Sequence, residues 1–287
     1  MFNNKKTLFS AIMIIAILLS VSTVIAANDN DTVYVSPTGN DANTGTIDSP
    51  LNSIAKAVEI APNGGTVFIK AGTYLGSEGN RGIRIDKNIT IKGEDKATTI
   101  IDGSTGVSEQ IFDISLWHDH ITKVTIQGLT FKNFANGYQT VRVNDGDVTI
   151  EDSDFINNYG VALFTFSENT TIRNCNFIGN NNSFFGAAIN GAGGFTILNS
   201  TFINNTASQR SAAIDLAAGS PNRIVRDCTF SGNEAPTYND IFVGVGILHI
   251  YNSIFDPVTI DSNGNSKPSI GKGASSSNQI FVNDIEI

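Results

Sequence analysis

Within Val148-Thr-Ile-Glu-Asp-Ser-Asp-Phe155, three carboxylates, Glu151, Asp152 and Asp154, fall inside four positions. Oxygen donors at that density suit a hard divalent cation such as calcium. Arg173 and Arg226 each stand four residues before a later phenylalanine, as Glu151 stands four before Phe155. A cation that holds a carboxylate substrate beside a basic side chain is the arrangement for removing the proton next to that carboxylate. Asp152, Asp154, Arg173 and Arg226 are therefore the candidate catalytic residues, and Glu151, Asp152 and Asp154 the candidate calcium ligands. A plainer account stands beside this one. Glu151 and Arg173 occupy the same place on adjacent repeats, which makes them a surface ion pair between neighbours. No lysine occurs between Lys132 and Lys267, so the regular repeats hold no lysine base.

The elements that must position these side chains are the repeats themselves. Phenylalanines at 131, 155, 177, 202, 230 and 255 follow one another at 24, 22, 25, 28 and 25 residues. Five residues before each stands a β-branched residue: Ile126, Ile150, Ile172, Ile197, Val225 and Ile250. Seven before stand Val124, Val148, Thr170, Phe195, Arg223 and Leu248, so apolar positions mostly alternate as in a strand with one buried face. One such strand pair is too small to bury its own face, and stacking copies is the remedy. Three residues after the phenylalanine come Asn158, Asn180, Asn205 and Asn233. Asparagine tolerates left-handed turns and its amide both donates and accepts, so these residues are expected to bond to one another up a stack. A second strand per repeat carries small residues, Gly186-Ala-Ala-Ile189 and Ser211-Ala-Ala-Ile214, in step with the phenylalanines.

The pattern predicts an all-β parallel β-helix of about nine coils over residues 28–260. Its open end is covered by a short amphipathic helix over Ser53 to Ala61, where Ile54, Ala57, Val58 and Ala61 share a face and Asn52 or Ser53 caps the start. Asp41-Ala-Asn43-Thr-Gly45 lacks the further ligands of a calcium loop and reads as a turn. Residues 261–287 shift to Ser, Gly, Asn and Lys, the composition of a linker, before one more strand from Gln279. Cys175 and Cys228 lie two repeats apart, about 9.6 Å in a stack with coil spacing of about 4.8 Å, too far to bridge. Two free thiols are expected.

Lys5 and Lys6 precede an apolar run from Leu8 to Val24 closed by Ala26 and Ala27, which reads as a signal peptide over 1–27, or an uncleaved membrane anchor. Either reading sends the protein out of the cell or to its surface. Lys5 and Lys6 are the only charged side chains in residues 1 to 26, so their removal takes the net charge from -9 to -11. That charge argues against nucleic acid or an anionic membrane as partner.

The entry segment, from Tyr34-Val-Ser-Pro-Thr-Gly-Asn-Asp41 through the helix to Gly64-Gly-Thr-Val-Phe-Ile-Lys-Ala-Gly-Thr-Tyr74, resembles the start of secreted right-handed parallel β-helix proteins. That superfamily includes pectate lyases and many proteins with no assigned catalysis. The Phe-x-x-Asn units and the paired small-residue segments are similar to the repeats of chlamydial polymorphic outer-membrane proteins and of archaeal adhesin-like surface proteins. The resemblance covers about residues 31 to 260 and implies an exported right-handed β-helix, with adhesion as the suggested role. The chlamydial autotransporter barrel has no counterpart here, and the small-residue repeat has lost its second glycine. Trp117-His-Asp-His120 resembles the Trp-Ile-Asp-His motif of one pectate lyase group but precedes Val124 to Phe131 out of register, and the Arg-x-Pro-x-x-Arg partner is missing. His118 and His120 lack carboxylates to complete a metal site and read as a surface loop. The chain has no Asp-Asp pair of the kind polygalacturonase-like hydrolysis requires.

Together these readings predict an exported, non-catalytic, adhesin-like β-helix without cofactor that binds glycans or other cell surfaces. The competing expectation is a calcium-dependent polyuronate lyase, and a third is a structural spacer.

Overall fold

The computed structural model describes residues 31–105, 109–115, 122–135, 139–216, 223–256, 259–260, 266–267, 269–274 and 278–286. Each coil runs through three parallel strands that belong to three sheets. The long sheet has eleven strands and begins at Thr32–Val35 and Gly65–Ile69; two further sheets have eight strands each. Thr130–Lys132, Asp154–Ile156 and Asn176–Ile178 belong to the second, or phenylalanine, sheet, and Gln139–Val143 and Val161–Thr165 to the third. The result is a solenoid of about seven turns, not nine. The stretches around Gly82 to Ile85, Ile89 to Lys92, Thr98 to Ile101 and Gln110 to Ile114 are successive sides of coils, because one repeat bends twice and so makes three short strands rather than two.

The bends explain much of the composition. The corner from the long sheet to the phenylalanine sheet turns on one residue of positive φ: Gly128, Asp152, Asn174, Asn199, Asp227 or Asn252. The next corner turns on Asn133, Asn157, Gly179, Asn204 or Gly232, again with positive φ. Short polar side chains and glycine are the residues that tolerate this region. The left-handed position is thus two residues after the phenylalanine, and the recurring asparagine at three after it has a different task.

That task is a buried amide ladder. Nδ2 of Asn158 donates to Oδ1 of Asn180 at 3.0 Å, Asn180 to Asn205 at 3.0 Å, and Asn205 to Asn233 at 2.9 Å. Each amide also donates to the carbonyl of a phenylalanine one coil back, as Asn205 does to Phe177 at 3.0 Å. Asn233 ends the ladder on the carboxylate of Asp240 at 2.8 Å. Beside the ladder the phenylalanine rings stack. Centroids of Phe155, Phe177, Phe202 and Phe230 follow at 4.9, 5.0 and 4.7 Å with planes 2° to 4° apart. Parallel in-register strands impose that spacing, close to the ring stacking distance itself.

The helix spans Ile54–Ile60, with Ser53 as N-cap and Ile54, Ala57 and Val58 buried. Asp41 accepts hydrogen bonds from the backbone N–H of Asn52 and Ser53 and from the Ser53 hydroxyl, so the preceding turn is tied to the cap. Within 261–287, the stretch read as linker and final strand, Ile270–Lys272 pairs with Ile241–Val243 and Gln279–Val282 with Ile247–Tyr251, which prolongs two sheets of the stack. Arg223 stands at a position where other coils place apolar residues, yet it is fully buried. Its guanidinium donates to the carbonyls of Gly193, Val245 and Ala192. Cys175 and Cys228 are free and buried, in the rank of Ser153, Ser200 and Ser253, and burial pushes their thiols up to about 12 and about 11. No helix among the described residues is long and apolar enough to cross a membrane.

Candidate functional site

In-register pairing across the long sheet lines up Lys92, Gln127, Glu151, Arg173, Leu198, Arg226 and Tyr251 on its outer face, one per coil. Glu151 and Arg173 are paired in register and form the expected ion pair through Oε2, Nε and Nη2. Glu151 does not point into solvent as an exposed acid, however. It is 8% exposed, covered by the arginine of the next coil. Arg226 stands two coils beyond Arg173 and packs 4.8 Å above the ring of Tyr251. The two arginines and the acids therefore do not meet in one place.

What does converge lies at the corner between the long and phenylalanine sheets. An open cleft of about 380 Å³ is lined by Lys92, Gly93, Glu94, Asp95, Lys96, Gln127, Gly128 and Asp152. Its floor is close-packed glycine backbone: a Cβ on Gly93 would stand 2.1 Å from the carbonyl oxygen of Gly128. Asp152 reaches the cleft because it is the left-handed bend residue of its coil, with φ of 47°. Asp154, two residues past the bend, receives Lys96 Nζ at 2.9 Å. Residues 58 apart in sequence are thus joined, and Thr130 ties the loop down by donating to the Lys96 carbonyl at 2.8 Å.

Every carboxylate at this corner has a partner. Asp152 accepts from Asn174 Nδ2 at 3.0 Å, and Asp154 also accepts from Asn176 Nδ2 at 2.6 Å. Glu94 accepts from the Ala71 N–H at 2.8 Å and Asp95 from the Ala97 N–H at 2.7 Å. Among the described residues no group of three or more His, Cys, Asp or Glu side chains is gathered closely enough to hold a metal ion. Trp117, His118 and His120 lie outside the described residues.

Sequence reasoning found Asp152 and Asp154 but missed Lys92, Lys96 and Gln127. The regular repeats carry no lysine between Lys132 and Lys267, whereas Lys92 and Lys96 sit in an earlier, irregular coil. Strand register brings that coil against the regular ones. No periodic signal marks Gly93-Glu94-Asp95-Lys96, so only the tertiary contact with Asp154 identifies it.

The three-sheeted coil, with an amide ladder inside and a polar cleft outside one corner, defines a parallel β-helix. Residues 33–211 match the family described as Pel9A-like, right-handed β-helix region, and the chain belongs to that family. Among its relatives, pectate lyase PEL9 of Emericella nidulans is 39% identical over 77 residues, which is 25% of this chain and 18% of that protein. The uncharacterized protein YwoF of Bacillus subtilis is 31% identical over 133 residues, 45% of this chain and 28% of that protein. The chain thus spans less than a third of the length of either relative. In structure it is similar to the rice weevil pectin methyl esterase, with a TM-score of 0.52 and 13% identity over 85% of this chain and 91% of that one. That similarity shows the shared fold.

Proposed function

We infer that this protein is an exported, adhesin-like β-helix that binds a glycan at the corner cleft without cleaving it. The observation that carries the reading is that every acid at the corner is already bonded, Glu94, Asp152 and Asp154 by other coils and Asp95 within its own loop, with Lys96 spent in an ion pair with Asp154 at 2.9 Å. A base that must take a proton, or an acid that must grip calcium, has to be released from such a partner first. The cleft is nevertheless open and lined by donors and acceptors of both signs, which suits sugar hydroxyls. Export rests on the apolar run from Leu8 to Val24, and glycan as ligand fits the pectin-active relatives of the fold.

A second reading, a calcium-dependent polyuronate lyase, draws on one specific observation: Lys92 and Lys96 line the same cleft as Asp152 in a chain of the Pel9A-like family. Incubating the purified protein with a panel of polyuronates and calcium, and following unsaturated product, separates the two. The expected result is retention on glycan, weakened by Lys96→Ala or Gln127→Ala, with no product. Calcium-dependent turnover abolished by Lys96→Ala or Arg173→Ala overturns the binding-only reading.

A further inference from the structure

Asn-x-Ser/Thr, the acceptor triplet for N-linked sugar in exported proteins, occurs at Asn30, Asn88, Asn169, Asn181, Asn199 and Asn204. A repeat rich in asparagine and threonine produces such triplets by composition alone, so the coil geometry has to sort them. Neighbouring coils are about 4.8 Å apart, less than the width of a sugar ring, and a glycan can leave the stack only where the side chains one coil back and one coil on are small. Asn199 is a bend residue in the rank of Asn174 and Asp227, and its Nδ2 donates to Asn174 Oδ1 at 2.8 Å. Asn181 stands between Tyr159 and Thr206 and donates to the Thr206 hydroxyl at 2.6 Å. Asn88 is half-buried, its Oδ1 held by the Lys123 N–H at 2.7 Å, and Asn169 is exposed but in register with Asp147. Asn30 lies outside the described residues.

Asn204 meets the condition on both sides. It is exposed, at the corner between the phenylalanine sheet and the third sheet, with φ of 53°. Its neighbours in the rank are both glycine, Gly179 one coil back and Gly232 one coil on. A Cβ on Gly232 would stand 2.1 Å from Asn204 Oδ1, so the missing side chain is what gives the amide its place. Among the described residues the Asn204 side chain has no hydrogen-bond partner. Beside it, Ile156, Ile178 and Ile203 follow in register on the outer face of the phenylalanine sheet, each only half-buried. Contiguous apolar side chains on an outward face call for a cover, and a sugar on Asn204 starts one residue from Ile203 with an apolar C–H face to lay on them.

We propose that Asn204 carries an N-linked glycan on the exported protein and that its first sugar covers Ile178 and Ile203. In the linking step Asn204 Nδ2 bonds to the anomeric carbon of a lipid-linked sugar phosphate, the bond from that carbon to the phosphate oxygen breaks, and Nδ2 gives up one proton. The Thr206 hydroxyl that completes the triplet is held by Asn181 in the wound coil, so transfer precedes winding, and the folded product keeps sugar where the stack has room. The proposal rests on export alone; the cleft lies at the other corner of the phenylalanine sheet. Mass spectrometry of the full chain, recovered from outside the cells that produce it, tests the assignment. The tryptic peptide from Asn174 to Arg210 holds the triplets of Asn181, Asn199 and Asn204, and electron-transfer fragmentation leaves the sugar on its own side chain. The expected result is sugar on Asn204 and none on Asn181 or Asn199. Thr206→Ser should keep it, whereas Thr206→Ala and Asn204→Asp should remove it, aspartate being chosen because it tolerates the left-handed bend. Asn204→Asp should also bind more of an apolar-surface dye than the wild type. Exported protein with the peptide unmodified, or modified at Asn181 or Asn199 instead, overturns the proposal and leaves export standing. Unmodified protein found only inside the cells overturns both. Equal dye binding by the two proteins overturns the covering of Ile178 and Ile203.

Discussion

Replacing Asn205 by alanine tests the amide ladder at its most connected rung. Asn205 has no solvent exposure, and its side chain takes part in four hydrogen bonds. It donates to Phe177 O and Asn233 Oδ1, and its Oδ1 accepts from the Asn180 N–H and Asn180 Nδ2. Truncation leaves the buried Asn180 N–H without its acceptor and takes the amide bond from Phe177 O, whereas Asn233 Oδ1 keeps the Asn205 N–H and Asn180 Nδ2 keeps Phe155 O. An unpaired buried polar group costs about 1 to 3 kcal/mol, so the low end summed over these two gives a loss of about 2 kcal/mol. Asn181→Ala is the control. That neighbouring residue is exposed, and its side chain donates to the Thr206 hydroxyl, a bond whose loss should cost under about 1 kcal/mol. Urea unfolding followed by far-ultraviolet circular dichroism reads both as midpoint shifts at constant slope. Asn180→Ala combined with Asn205→Ala should cost less than the sum of the two, because the amide-to-amide bond between them is broken by either one. A loss within 1 kcal/mol of wild type for Asn205→Ala would refute the ladder as a source of stability, and strict additivity would show that its rungs act independently.

The remaining predictions concern the core, the ladder's end and the thiols. Phe202→Ala removes a fully buried ring stacked between Phe177 and Phe230, and should lower stability by about 3 to 5 kcal/mol in the same urea assay. Burial raises the carboxyl of Asp240 from 3.8 to about 6, against the pull of its bond from Asn233. The folded protein therefore holds that proton more tightly than the unfolded chain. Its contribution is complete below about pH 4 and is lost as pH rises through about 6, a loss of ~3 kcal/mol at most. Asp240→Asn should remove this part of the pH dependence and leave the protein more stable than wild type at pH 8, read as unfolding midpoints across pH. Cys175 and Cys228, buried with thiols pushed up to about 12 and about 11, should react with a thiol reagent only at the rate of unfolding.

Much of this architecture was legible without coordinates because a solenoid is local in a special sense. Each coil meets only its neighbours, so a period of about two dozen residues states which residues touch: Phe177 on Phe202, Asn180 on Asn205, Glu151 beside Arg173. The helix and its Ser53 cap were legible for the same reason, since capping chemistry is confined to a few adjacent residues. The number of turns was not, because hydrophobic alternation marks strands without saying how many sides close a coil. Left-handed bends at Asp152 and Asn157 decided that. The same bend puts Asp152 into the cleft.

The sequence by itself determined the register of the regular repeats and which side chains face inward. Tertiary structure decided what stands outside them. It brought Lys96 against Asp154, gave Asp152 and Glu94 partners on other coils, and set Arg210 between the rings of Phe185 and Phe242. The physical reason is that inward positions repeat because stacking demands it, whereas outward positions and irregular loops are free of that demand. A side chain there acquires neighbours only when the coil has wound.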